Sequence, residues 1–393
     1  MAQTLHSFDV HAPDAHDGAQ ALWAQMRDTP GLVHCPNYGG YYIAARYEDA
    51  LAVLTKPDIF TSAEGINLPP ARGVRTRHIP AETDAPEHRD YRALMAPRLS
   101  ARYAESMEPG IREIVRGLIG DIPEGVSIDF VRVFARKLPI LVSLDLMGLP
   151  RSDAHELEGM VEGLHREVAT RRPTGAADRL KAYSERVAAE RRRTATDADA
   201  DVVSAIVLGT FQGRSLSSEE QMSMVRQILT GAFDTTAIAM ATMMKWLAET
   251  PTEAQRLRDD PAAIDLASEE IVRFASPSTY LRREVTQDTI LAGTSLKKGD
   301  SVLIAFGAAN HDPAKFACPD QVVATRKPNM HIGFGAGHHR CVGSLVAKTQ
   351  LRIAMEELLT AFASFRVGGG RAIQYTTGLG QGIGVLPMIL TRA

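Results

Sequence analysis

The sequence predicts a mainly α-helical protein with small β regions, forming one domain over residues 1–393. Three observations predict it. Helical periodicity dominates the first two thirds of the chain, and the last third mixes helix with short strand patterns. The apolar run Ile228–Leu247 lies in a helix opened by the capping-box pair Ser217 and Glu220. That helix runs to about Ala248, roughly 48 Å at about 1.5 Å per residue, so it is expected to cross the centre of the molecule.

The elements follow in order. Residues 14–29 and 46–55 read as short helices, with a hairpin strand at 39–47 between them. Residues 61–84, broken by Gly65, Pro69, Pro70 and Gly73, read as a long loop of the kind compact domains keep for a use. A helix begins with Pro86 and runs through 99. Helices are also expected over 102–118, 128–148, 153–166, 176–194 and 201–210. After Pro261 comes another, which Pro277 ends. Residues 281–305 read as strands around the turn at 297–300, a long helix begins near Cys341, and the glycine-punctuated tail 364–391 is β-like.

Apolar residues make up 45% and charged residues 23% of the chain, with a formal net charge of -3. That is ordinary globular composition, with no general attraction to nucleic acid or to an acidic membrane. Asp234 and Lys245 make the apolar run a poor bilayer span. The first residues show no basic region followed by an apolar stretch, so the expectation is a cytoplasmic protein. Cys35, Cys318 and Cys341 are too few and too scattered for a disulfide framework.

Chemistry concentrates in His331–Gly343, "HIGFGAGHHRCVG". A lone cysteine is usually a small buried hydrophobe. Here alternating glycines permit tight turns and the close approach of a flat or bulky object. The helix that follows would favour a thiolate at its N-terminus. Zinc held by Cys341, His338 and His339 is disfavoured, because the histidines are adjacent and no Cys-x-x-Cys partner exists.

The loop resembles the haem-binding motif of the cytochrome P450 family, F-G-x-G-x-H/R-x-C-x-G, through Phe334, Gly335, Gly337, His339, Cys341 and Gly343. The resemblance extends over essentially the whole chain and implies the P450 fold, with its long central helix over haem. It implies that Cys341 ligates the iron of one haem b, with the push that favours O–O cleavage. "EEIVR" resembles the family's E-x-x-R, so Glu270 and Arg273, completed by Arg326, would brace the haem core. By spacing alone that pair is only a solvent ion pair. The family's preceding F-D is replaced by Val322 and Val323. "GAFDTT" resembles the proton-delivery motif of the central helix, where the family's helix opens into an oxygen groove. Asp234 would then connect to solvent protons and Thr235 would bond water or oxygen, Thr236 being its substitute. Read alone, Thr235 is a hydroxyl bonded to a preceding carbonyl. "DAPEHRDYR" makes His88 and Arg92 propionate donors, joined by His331 and by Arg283, with Arg282 as its rival by a one-residue slip. "NHDPAKFACP" matches a structural turn that would bury Cys318.

The function so implied is a haem-thiolate monooxygenase that uses O2 and two externally supplied electrons to hydroxylate a small or medium hydrophobic substrate, such as a terpenoid. Ferredoxin with ferredoxin reductase would supply the electrons, docking near Arg340, Lys348, Arg89 and Arg92. Oligomeric state is not legible in the sequence; a monomer is the simplest expectation. Substrate would meet Thr76, Ala232, Thr235, Ser278 and Thr279. The pattern "IPAETDAPEHRDYRAL" is distantly similar to camphor hydroxylase, but Thr76 stands about where that enzyme bonds camphor through a tyrosine. Arg72, Arg75 and Arg77 leave a carboxylate substrate open. Two alternatives remain: a peroxide-using haem hydroxylase and a non-enzymatic haem-based binding or sensor protein.

Overall fold

The computed structural model describes residues 4–12, 18–70, 76–170, 172–370 and 372–393. Its centre is the helix Ser218–Glu249, 32 residues long. Ser217 Oγ accepts from the Glu220 N–H at 3.2 Å and Glu220 Oε2 accepts from the Ser217 N–H at 2.6 Å, so the expected capping box forms. Leu229, Phe233, Ala237, Met240 and Met244 of this helix lie in the main core. The helices Ala176–Thr194, Lys137–Leu146, Ile264–Ala275 and Ser344–Ala361 pack around it.

A five-stranded sheet lies beside the helices. Its order is Val33–Cys35, Tyr41–Ala44, Ser301–Ala305, Tyr280–Val285, Phe60–Thr61. Ser301–Ala305 is buried at every residue, as suits a strand covered on both faces. Two smaller cores flank the sheet. Between Phe60–Thr61 and Glu87–Met95 the described residues form no helix and no further strand, matching the expected loop; Arg72 and Arg75 lie outside the described residues.

The single helix expected over 128–148 is instead three pieces. Ile128–Asp129 is a strand, Val131–Ala135 a π-helical turn, and Lys137–Leu146 an α-helix. Ile128 pairs with Met388 near the end of the chain, and Asp129 Oδ1 accepts from the Leu386 N–H at 3.1 Å. A partner so far along the chain overrides the local helical period. The helix expected over 14–29 is Ala19–Asp28, residues 14–17 lying outside the described set. Two helices without a sequence expectation, Pro251–Asp259 and Phe306–Asn310, complete the helical part.

Candidate active site

The cysteine loop is shaped by two left-handed glycines. Gly335 has φ +71° and Gly337 φ +67°, and a Cβ on Gly337 would come within 2.8 Å of the Leu54 carbonyl oxygen. The Cys341 N–H donates to the Phe334 carbonyl at 2.7 Å and closes the loop on itself. Gly343 then caps the helix Ser344–Ala361. Burial pushes the Cys341 thiol up, while the N–H groups of Gly343 and Ser344 and the charges of Arg92 and Arg340 pull it down. Yet the Cys341 side chain is exposed. Protein surrounds the sulfur, and the residue still keeps accessible surface. A Cβ added at Gly343, two residues on, would meet nothing within 4 Å.

Beneath the loop lies the brace. Glu270 and Arg273 are fully buried, with Arg273 Nε and Nη2 each 2.8 Å from a Glu270 oxygen. Arg326 Nε lies 3.0 Å from both oxygens, and Asn329 Nδ2 and the Val323 N–H each donate at 3.0 Å. The expected trio is therefore in contact, and the loss of the family's F-D is met by a backbone N–H. Arg273 also donates to the carbonyls of Asn310, Pro319 and Gln321. Cys318, expected to be buried, is exposed, with φ 48°. It stands in a turn whose carbonyls, not side chains, are used by the brace.

A cationic rim borders the loop. Arg283 is buried, and its side chain donates to the Arg282 carbonyl at 2.8 Å. Burial lowers Arg283 to about 10, partly offset by Asp84. Its rival Arg282 is committed to Ser301, the carbonyls of Glu64 and Gly65, and Glu284. Alternation along the strand thus separates the two arginines. The Arg92 side chain donates to the His338 carbonyl at 3.3 Å. Neither Arg92 nor Arg283 reaches a carboxylate among the described residues. His88 is buried beside His338 and His339, and burial followed by those two rings and Arg92 hold it at about 3. His339 Nε2 lies 2.9 Å from Ser62 Oγ, and Ser62 Oγ donates to Asp84 at 3.1 Å. Burial would raise Asp84, but His339, Thr61 and Ser62 outweigh it and hold the carboxyl below the usual range.

His331 does not join this rim. Its Nε2 lies 3.1 Å from Glu269, and its Nδ1 accepts the Gly333 N–H at 3.0 Å. With both ring nitrogens engaged, it is part of the framework under the loop and not a free donor. Lys348 is similarly spent on Glu269 at 2.6 Å, which leaves Arg340 and Arg89 as the exposed cations of the expected docking face.

On the central helix, Gly231 is exposed between the buried Leu229 and Phe233, so a second opening lies at mid-helix. Asp234 is 40% exposed, not buried, and its partner is His165 Nε2 at 2.9 Å. The helix continues unbroken through this point. Thr235 Oγ donates to the Gly231 carbonyl at 2.9 Å, so its proton is engaged and its lone pairs are free. Thr236 is buried. Ala232 and Ser278 are half-buried. Thr279 is buried, and its hydroxyl is hydrogen-bonded to Ser276 and Gln381. Thr76 is half-buried, and its carbonyl accepts from Arg226 at 3.3 Å, tying the long loop to the central helix. His165, Ser62 and Glu269 carried no sequence signal, because each reaches the site from a distant segment.

This fold and site define a monooxygenase built on a cysteine-ligated cofactor. The cytochrome P450 family model matches residues 168–264 and 263–369. The chain is 32% identical to "Putative cytochrome P450 126" of Mycobacterium tuberculosis, over 92% of this chain and 88% of that one. It is 33% identical to "Mycinamicin IV hydroxylase/epoxidase" of Micromonospora griseorubida, over 85% of each. The crystal structure of cytochrome P450 CYP101C1 superposes with a TM-score of 0.87 at 27% identity, covering 97% of this chain and 96% of that one. A mutant of P450 EryK in complex with erythromycin B superposes at 0.86 and 26% identity, covering 95% and 96%. The chain belongs to the cytochrome P450 family. It is a haem-thiolate enzyme that oxidises a hydrophobic substrate. Among the described residues, no helix is long and apolar enough to cross a membrane.

Haem fits the residues present. Among the described residues Arg92 and Arg283 hydrogen-bond no carboxylate, and two propionates would supply one to each. Cys341 is accessible, and the Gly343 and Ser344 N–H groups suit a thiolate.

Proposed function

We propose that this enzyme hydroxylates a small or medium hydrophobic compound, such as a terpenoid, using O2 and two electrons from a ferredoxin served by its reductase. The observation that carries the site assignment is the conjunction of the accessible Cys341 with Arg92, whose charge acts on it, and with Arg283, whose charge acts on His338 and His339 of the same loop, neither hydrogen-bonded to a carboxylate among the described residues. Bound haem supplies the activation of dioxygen at its iron. Cys341 would hold that iron from one side. Arg92, Arg283, His88 and His339 would take the propionates by charge-assisted bonds. Phe334, Gly335 and Gly343 shape the loop around the sulfur. Asp234 and Thr235 hold and move the proton: the carboxylate gains it from the solvent side, and the Thr235 lone pairs accept a bridging water. Ala232 and Ser278, with the loop at Thr76, border the substrate space and exclude bulk water.

The test has two stages. The reduced carbon-monoxide difference spectrum should show the thiolate-type Soret band in the wild type and lose it in Cys341→Ala. An unchanged spectrum in the variant would end the ligand assignment. Loaded enzyme is then screened for substrate-induced Soret shifts with terpenoids, mycinamicin IV and erythromycin B, followed by product analysis with ferredoxin and reductase. Turnover with peroxide at equal efficiency and none with ferredoxin would favour the peroxide-using class.

A further inference from the structure

His165 lies on the helix Ala154–Thr170 and belongs to none of the motifs above. Its Nε2 is 2.9 Å from Asp234 Oδ1, and its Nδ1 is 3.2 Å from Arg136 Nη2. A guanidinium only donates, so Nδ1 must accept. The ring proton is then on Nε2, aimed at the carboxylate. The three groups come from three elements: Arg136 between the π-helical turn and the helix Lys137–Leu146, His165 from its own helix, and Asp234 from the central one. The side chains of His165 and Asp234 are 27% and 40% exposed, so both members of the pair meet accessible space.

We propose that His165 is the residue through which Asp234 exchanges protons with solvent. It acts through Asp234 and touches no reacting atom, and the inference rests on the role given to Asp234 above. Imidazole suits the task because it accepts a proton at one nitrogen and gives one from the other near neutral pH. When Arg136 moves aside, a proton from water adds to Nδ1. The Nε2 proton passes to Asp234 Oδ1, leaving a neutral ring and a protonated carboxyl. One proton has moved inward, and exchange with water, which takes the Nδ1 proton and returns one to Nε2, restores the starting tautomer. No electron is transferred.

The experiment follows NADH consumption by haem-loaded enzyme with an iron–sulfur ferredoxin and its reductase, in ordinary and heavy water. Wild type is compared with Asp234→Asn, His165→Phe and His165→Gln, all first matched in haem content, carbon-monoxide spectrum and melting temperature. Both His165 variants are expected to slow by about tenfold with a larger solvent isotope effect, less than the about 100-fold or more of a group that acts directly as general acid or base. Glutamine keeps an N–H toward the carboxylate but cannot relay a proton. A wild-type rate in His165→Gln beside a slow His165→Phe would mean that the residue only holds Asp234 in place, and would overturn the relay. A slow Asp234→Asn with both His165 variants at the wild-type rate would overturn this inference alone. Wild-type rates in all three would remove Asp234 first and His165 with it.

Discussion

Glu270 and Asp234 are both carboxylates on helices of the haem core, and the structure treats them oppositely. Glu270 is fully buried and takes hydrogen bonds from Arg273, Arg326, Asn329 and the Val323 backbone. Asp234 stands 40% exposed with His165 as its partner. A buried charge is stable only when its neighbours satisfy it, so the brace side is over-determined and rigid. A charge that must gain and lose a proton needs few partners and a route to water. On the proposed function, the brace side holds its shape, and the Asp234 side keeps its groups free to act.

The largest expected effect breaks the rigid side. Arg273→Ala strands the Glu270 carboxylate and is expected to cost about 3–5 kcal/mol. Urea unfolding would show it, together with poor haem incorporation. A variant of near wild-type stability would mean that the brace is not what holds the core.

On the oxygen side, Asp234→Asn should leave folding and the carbon-monoxide spectrum unchanged. Its ferredoxin-driven turnover should fall about 100-fold, the lower end for a general acid–base group. A loss of stability comparable to Arg273→Ala would erase the contrast between the two sides.

Acid offers a third probe. His311, buried against Trp23 and Phe274 next to the brace residue Asn310, is pushed down to about 4, chiefly by burial, which the bond to the Gly307 carbonyl opposes. The unfolded chain takes up that proton near pH about 6.5, before the folded one does. This stabilisation is therefore complete above about pH 6.5 and lost as pH falls toward 4. Urea midpoints measured across that interval should decline, and His311→Phe should flatten part of the slope. A slope unchanged in the variant would assign the loss to other groups.

The smallest effect is at the start of the central helix. Ser217→Ala removes the cap and should cost about 1 kcal/mol, seen in unfolding with no change in spectrum or turnover.

The thiolate loop, the E-x-x-R pair and the capping box were legible because each is a local pattern whose spacing carries its geometry. The sequence shows a histidine beside the loop but not Glu269, which engages its ring. Nor does it show that Gln381, far along the chain, bonds the Thr279 hydroxyl. The broken helix at 128–148 reflects a strand partner at the end of the chain.

By itself the sequence determined the helical class, the central helix and its cap, and the cysteine in its glycine loop. All of these depend on periodicity or on backbone freedom within a few residues. Only the tertiary structure decided which arginine of the pair 282 and 283 stays free of carboxylates, that Asp234 is exposed, and that His165 stands against it. Those facts depend on side chains from distant segments competing for the same atoms, and that competition exists only once the chain has folded.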